Sequence, residues 1–274
     1  MALTVSLRPG RDEAARRRHP WVFSGAVART SGGAPDGLAE VRDASGALLG
    51  TGFASPRSPI AVRLWRTGEG PVDAPLVEGR IRSAAALRER ILPPETDGYR
   101  LVNAEGDHLP GLVVDRYGET LVVQATTEGT ERARPLWLPP LLDLFPLAAI
   151  VQRNDLPSRK GEGLPLGDEL LAGELPAGPV PFRERGVRFL ADVSGGQKTG
   201  FFLDQRENRH LVRGLSRGRS VLNLFCYSGA FGVAALAGGA SRVVQVDASA
   251  PALVLARENH RVNAQGGDLS LIHI

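Results

Sequence analysis

The sequence predicts a multidomain chain: a β-rich front, an α+β centre, and the first part of an α/β Rossmann-like domain. Three observations carry that prediction. Residues 1–70 hold five short apolar runs separated by Gly, Pro and Ser. Residues 71–192 mix strand-like and helix-like runs. Residues 221–247 read as a strand, a tight turn, a helix, a second strand and an acid.

The whole chain sets the bounds. Its 274 residues suit two or three domains, and a hydrophobic share of 42% supports packed cores. No apolar run approaches a membrane span, and Met-Ala-Leu-Thr-Val-Ser-Leu-Arg has no signal-peptide core, so a cytoplasmic location without membrane contact is expected. Cys226 stands alone, which excludes an intrachain disulfide, and five scattered histidines argue against a zinc site. The net charge is +3, but residues 1–66 hold ten Arg against five Asp and Glu, a local +5 that leaves −2 for the rest. That asymmetry suits a polyanionic partner or a solvated charged surface.

In the front, Val5–Leu7, Trp21–Phe23, Leu38–Val41, Leu48–Phe53 and Ile60–Leu64 are the strand candidates. Pro9-Gly10, Ser31-Gly32-Gly33, Ser45-Gly46 and Ser55-Pro56 break them. Residues 11–18 read as a short helix. Arg16, Arg17 and Arg18 cannot all be buried and must face water or phosphate. Trp21 and Phe23 lie two apart on one strand face, so both are expected in the core.

The string Arg17-Arg-His-Pro-Trp-Val-Phe-Ser-Gly-Ala26 resembles the start of a PUA domain, a small pseudo-barrel that binds RNA. More narrowly, it resembles the front domain of bacterial large-subunit ribosomal RNA cytosine-C5 methyltransferases. The resemblance implies a PUA-like domain over 1–70; its strand-edge aromatics Trp21 and Phe23 can stack on bases, but the core is favoured for both, and Arg16, Arg17 and Arg18 are the better candidate RNA contacts.

Residues 71–82 read as a linker, and Leu76–Ile91 as a helix stopped by Pro93-Pro94. In the centre, Tyr99–Val102, Gly111–Tyr117, Glu119–Gln124, Ala148–Gln152 and Val187–Ala191 read as strands. Leu136–Leu144 reads as a helix despite Pro139-Pro140, and 157–179 as a loop or hairpin. Asn103-Ala-Glu-Gly-Asp107 and Leu109-Pro-Gly-Leu-Val-Val-Asp-Arg-Tyr117 resemble the central domain of the same family. Asp107 and Asp115 could be a catalytic pair, but their places at strand ends favour turn chemistry.

Ser194-Gly-Gly-Gln-Lys-Thr-Gly200 is a flexible loop. The helical pattern after it puts Leu203, His210, Leu211 and Leu215 on related faces. It is not a P-loop, because the spacing is wrong and Lys198 follows Gln197.

Val221–Phe225 suits a buried parallel strand. Ser228-Gly229 makes the turn, Ala230–Leu236 the helix, and Gly238-Gly239 its end. Val243–Val246 is the next strand, with Asp247 at its carboxyl end, where open α/β sheets bind ligands. A carboxylate there takes a ribose hydroxyl pair. The turn is not a G-x-G-x-x-G, so a nucleoside without a diphosphate, such as S-adenosylmethionine, fits it better than NAD. Leu253–Asn263 reads as the following helix.

Gly-Gln-Lys-Thr-Gly-Phe-Phe-Leu-Asp-Gln-Arg206 resembles the segment with which the family encloses S-adenosylmethionine. Val-Leu-Asn-Leu-Phe-Cys-Tyr-Ser-Gly-Ala-Phe231, Val-Asp-Ala-Ser249, Ala-Arg-Glu-Asn259 and Asn263-Ala264 resemble its cofactor motif. The resemblance covers residues 1–264 and implies domains at 1–70, 71–192 and 193–274, the last an incomplete methyltransferase domain. It makes Thr199, Phe201, Asp204, Gln205, Arg206, Asn223, Phe225, Tyr227, Ser228, Gly229 and Asp247 the cofactor-binding candidates. Lys198 joins the RNA-binding candidates.

The family's Asp-Pro-Pro-Lys/Arg-Phe motif and its nucleophilic cysteine have no match here. Both are expected beyond residue 274, so the chain alone is expected to be inactive and to bind the cofactor weakly. Cys226 reads as a packing residue. Leu-Ser-Leu-Ile-His-Ile274 is what a sequencing-library adapter encodes, so 269–274 are expected to be foreign. Ribosomal RNA is the expected partner, and a homodimer stays open. Two alternatives remain: an RNA-binding protein without catalysis, and a methyltransferase for another base.

Overall fold

The computed structural model describes residues 3–146, 149–263 and 267–274. Ala148 and Ala264, both named above, lie outside these. The chain divides into two compact units. The first comprises Met1–Ile91, Arg100–Asp115 and Leu121–Glu174; the second comprises Leu92–Tyr99, Arg116–Thr120 and Leu175–Ile274.

The first unit opens with β1 (Leu3–Leu7), α1 (Glu13–Arg16), β2 (Trp21–Phe23), β3 (Val27–Ser31), β4 (Leu38–Arg42), β5 (Leu48–Ala54) and β6 (Ile60–Thr67). They form a six-stranded sheet in the order β2-β6-β5-β4-β1-β3. Alternation turns Val5, Leu7, Val22, Val41, Val62 and Leu64 into one core. At Gly52 a Cβ would sit 2.0 Å from the Arg63 carbonyl oxygen, so only glycine fits there. β3 was not legible: Val-Ala-Arg-Thr-Ser has no apolar alternation, and the strand is held by antiparallel pairing to β1.

The expected linker at 71–82 gives way to helix from residue 74. In α2 (Ala74–Ile91), the Asp73 side chain accepts from Leu76 N at 3.1 Å, which caps the first turn. Val77, Ile81 and Ala84 form its buried stripe.

Five further strands follow: β7 (Gly98–Asn103), β8 (Leu112–Tyr117), β9 (Thr120–Ala125), β10 (Ala149–Gln152) and β11 (Glu169–Ala172). Their order is β11-β10-β9-β8-β7. Between them lie α3 (Glu128–Arg132), α4 (Arg134–Leu144) and α5 (Pro157–Glu162). α4 runs through Pro139 and Pro140 as expected. Within the expected loop or hairpin at 157–179 lie the helix α5 and the strand β11.

The central acids are structural. Arg88 donates to both oxygens of Asp107 at 2.6 and 2.7 Å. Arg100 does the same to the buried Asp115 at 2.8 and 3.0 Å. A carboxylate clamped by a guanidinium fork is a poor catalytic base.

The second unit contains β12 (Val180–Glu184), β13 (Val187–Ala191), α6 (Arg206–Leu215), β14 (Ser220–Leu224), α7 (Ala230–Ala237), β15 (Arg242–Asp247), α8 (Ala250–Arg261) and β16 (Asp268–His273). β12 and β13 make an antiparallel hairpin whose turn residues, Arg185 and Gly186, both have positive φ, at 51° and 79°. Pro181 disguised β12 in the sequence.

β14, β15 and β16 form a parallel sheet, with Val221 beside Val243 and Val243 beside Leu269. Residues 269–274, expected to be foreign, thus largely lie in a strand. The face of α6 that carries His210, Leu211 and Leu215 is turned to solvent, while Arg209 is buried. No described helix is long and apolar enough to cross a membrane.

Candidate cofactor site

β14 and β15 end side by side, and the chain turns sharply after Leu224. Phe225, Tyr227 and Gly229 all have positive φ, at 55°, 48° and 73°. For the two aromatic residues this costs about 1 kcal/mol or more each, so something must hold them. Asp247 holds Tyr227: one carboxylate oxygen accepts from Tyr227 N at 2.7 Å, the other from Ser249 N at 2.9 Å. Cys226 N adds a bond to the Val246 carbonyl at 3.0 Å.

Gly229 is required by packing as well as by φ. A Cβ there would lie 2.7 Å from both the Ala256 methyl and the Gln245 Nε2. Asn259, fully buried on α8, donates to the Ser228 carbonyl at 2.9 Å and accepts from Leu190 N at 2.6 Å.

The loop after β13 is built on Asp192, whose side chain accepts from Gly195 N at 2.8 Å and Ser194 N at 3.2 Å. The Tyr227 hydroxyl accepts from Gln197 N at 3.0 Å and donates to the Gly200 carbonyl at 3.4 Å. Thr199 is buried against the Tyr117 hydroxyl at 2.8 Å. Lys198 pairs with Asp204 at 2.9 Å, its ammonium 4.3 Å from the centre of the Phe202 ring. Burial pushes the Asp204 carboxyl up, but the hydrogen bond and charge of Lys198 outweigh it and leave the pKa below the ordinary value.

Loop and turn enclose a cavity of about 630 Å³, a size usual for cofactor sites. Of the expected residues, Phe201, Gln205, Phe225, Tyr227, Ser228 and Asp247 line it. Thr199, Asp204, Arg206, Asn223 and Gly229 are not among its lining residues. Asn223 donates to Gln245 at 2.9 Å, and Arg206 pairs with Glu207 at 3.0 Å. Gln197 and Phe202, within the expected enclosing segment, line it too, while sequence reading missed Asp192, Arg209 and Leu255. Asp192 could have been found, since Asp before Ser-Gly-Gly signals an Asx turn. Two carboxylates, Asp192 and Asp247, with aromatic walls between, suit a flat ligand that carries positive charge. S-adenosylmethionine, with its adenine, sulfonium and ammonium, is such a ligand.

Cys226 is the sole thiol, and its pKa is pushed up to about 11 by burial and by the nearby Asp247 charge. It stays protonated at neutral pH and packs, as expected.

In the first unit the arginine candidates differ from one another. Arg16 pairs with Asp12 at 2.5 Å and also with Asp43; those partners, Asp12 first, raise its pKa. Arg17 pairs with Glu13 at 2.6 Å, while Arg18 is exposed at φ 64°. The expected core role of Trp21 and Phe23 is overturned, because Phe23 is 49% exposed and Val22 between them fills the core. His19, Trp21 and Phe23 instead stack edge to face at 5.7 and 6.2 Å along the sheet's edge strand. Trp21 is steadied by its indole N–H, which donates to Glu105 at 2.9 Å.

Comparison with known proteins agrees with this geometry. Residues 167–273 match a family described as S-adenosylmethionine-dependent methyltransferase, and residues 5–67 match a PUA-like domain. Ribosomal RNA large subunit methyltransferase I of Shewanella denitrificans is 44% identical over 96% of this chain and 67% of the relative. The protein of that name from Escherichia coli O157:H7 is 41% identical over 96% and 67%. The chain belongs to the ribosomal RNA large subunit methyltransferase I family.

Its fold is that of solved relatives at lower identity. A protein of Streptococcus mutans, assigned as a SAM-dependent methyltransferase, is similar with a TM-score of 0.81 at 21% identity, covering 100% of this chain and 71% of that one. A second structure, assigned as a methyltransferase and complexed with SAH, gives 0.82 at 21% identity, covering 100% and 70%. S-adenosylmethionine is the cofactor of this family, and a PUA-like domain precedes its methyltransferase fold.

Proposed function

We propose that the chain belongs to an enzyme that forms 5-methylcytosine in large-subunit ribosomal RNA, and that the cavity beside Asp247 holds S-adenosylmethionine. The observation behind this reading is the carboxylate of Asp247. It is fixed by two backbone N–H groups at a parallel strand end and opens on a cavity capped by the Gln197–Gln205 segment. Spare lone pairs on that carboxylate would accept the ribose hydroxyls. Phe201, Phe202 and Leu255 offer a flat apolar wall to the adenine. When bound, the cofactor supplies an electrophilic methyl group.

Cytosine C5 is a weak nucleophile, and a thiolate adding to C6 makes it reactive. Cys226 is a poor nucleophile, since burial and the Asp247 charge raise its pKa, and it is the sole thiol of these 274 residues. The nucleophile would therefore lie outside these 274 residues, and this chain alone would not transfer the methyl.

Arg18, with the edge aromatics Trp21 and Phe23, is the first domain's candidate grip on RNA, and Arg16, Arg17 and Lys198 are weaker ones because each is already paired. The working partition remains 1–70, 71–192 and 193–274. The cellular site would be the cytoplasm, and a homodimer is the oligomeric state to check by light scattering.

Calorimetric titration of SAH tests the site. Asp247→Ala should weaken binding by about tenfold or more. Unchanged affinity would leave the RNA-binding reading without catalysis. Methyl transfer to ribosomal RNA by the 274-residue chain would refute its proposed inactivity.

A further inference from the structure

Arg209 and Glu184 form an ion pair inside the second unit, with exposures of only 2% and 5%. The pair is bidentate: Nε meets one carboxylate oxygen at 2.8 Å and Nη2 the other at 2.5 Å. The remaining nitrogen, Nη1, donates to the Phe202 carbonyl at 2.9 Å. The guanidinium carbon also lies 4.7 Å from the centre of the Phe201 ring and 6.0 Å from that of Phe189.

Burying two charges is costly, and an apolar pair of the same volume would serve stability as well. What an apolar pair could not do is bond a loop carbonyl and lie over an aromatic face at once. Both of those contacts land on Phe201 and Phe202, which wall the cofactor cavity. The loop before them is loose by composition, with Gly195, Gly196 and Gly200 in six residues. Phe202 in turn meets Tyr227 edge to face at 5.4 Å.

We propose that Arg209, oriented by Glu184, is a positioning residue that holds the 196–202 loop in its cofactor-receiving shape. This rests on the reading of the cavity as the S-adenosylmethionine site. Glu184 fixes the plane of the guanidinium from β12. Arg209 then fixes both the path and the ring of the lid segment.

The experiment is amide hydrogen exchange on the full chain, alongside SAH titration. The variants are Arg209→Lys and the charge-free pair Arg209→Met with Glu184→Leu. The expected result is exchange faster by about tenfold at Gln197 and Gly200, unchanged exchange in α7, and SAH affinity lower by a similar factor. Lysine keeps the charge but lacks the fork, so it should restore only part of both. If the double variant does not fold, Arg209→Lys alone decides the matter. Unchanged exchange at 197 and 200 in a folded variant would overturn the proposal, as would faster exchange spread equally over α7. Failure of the parent chain to bind SAH would strike the cavity reading instead, leaving the loop measurement to stand by itself.

Discussion

Single residues carry the site through their backbone angles. Gly229 combines a φ of 73° with two side chains that would lie 2.7 Å from any added Cβ. Gly229→Ala should therefore cost about 2–4 kcal/mol in urea denaturation, since strain and overpacking add. A loss under 0.5 kcal/mol would show that the turn relaxes freely. Phe225 and Tyr227 have similar angles without being glycine, and nothing in their side-chain types announced it. The Tyr227 conformation is held by Asp247, twenty residues downstream, so it became visible only when the strands were paired. The sequence did show that the acid and the turn belong together. It could not show that Thr199 and Gly229 do not line the cavity, because facing depends on packing.

At the scale of elements, apolar runs were legible and polar ones were not, although β14, expected to be buried, leaves Leu222 and Leu224 62% and 54% exposed. β9, β14, α7 and β15 follow from apolar runs bounded by glycine or turns. β3 and α5 are held by partners remote in sequence, and β12 is interrupted by proline. Where α5 docks, Glu131 accepts from Arg159 at 3.0 Å and Gln152 at 2.8 Å, and it also pairs with Arg134. Burial raises the Glu131 pKa, but these partners, Arg159 first, outweigh it and leave it lowered. A lowered carboxyl stabilises the fold above its unfolded pKa, and the effect is lost as the pH falls through the folded value. Glu131→Gln should thus be less stable than the parent by about 2 kcal/mol at neutral pH, with the gap closing in acid. A gap that stays constant down to acid denaturation would contradict the ion-pair account.

For the whole molecule, charge is divided unevenly: +5 in residues 1–66 and −2 elsewhere. Binding to a ribosomal RNA fragment should weaken as salt rises, since each phosphate neutralised releases a counterion. Arg18→Ala should lower the log–log slope by about 0.7, the increment for one contact to a single strand. Arg16→Ala, whose guanidinium is already taken by Asp12 and Asp43, should leave the slope alone. Equal effects from both would mean that the surface acts by bulk charge only. Composition alone revealed this asymmetry. Which arginine is available was hidden, because it depends on carboxylates brought in by the fold.

Asn259 and Asn263 have a consequence beyond the cofactor turn. Asn263 accepts from Arg188 N at 3.0 Å and donates to the Arg188 carbonyl at 2.8 Å, while Asn259 takes Leu190 N. Two side-chain amides, one on α8 and one in the turn just after it, thereby occupy the open rim of β13, as a neighbouring strand would, and deny it to a second chain. Asn263 precedes a small residue and lies near the helix end, where deamidation would swap its donor for a negative charge. An aged sample, or Asn263→Asp made directly, should then scatter more light on storage as molecules zip together along that rim. Equal scattering from the two proteins would mean that the rim is guarded by something else.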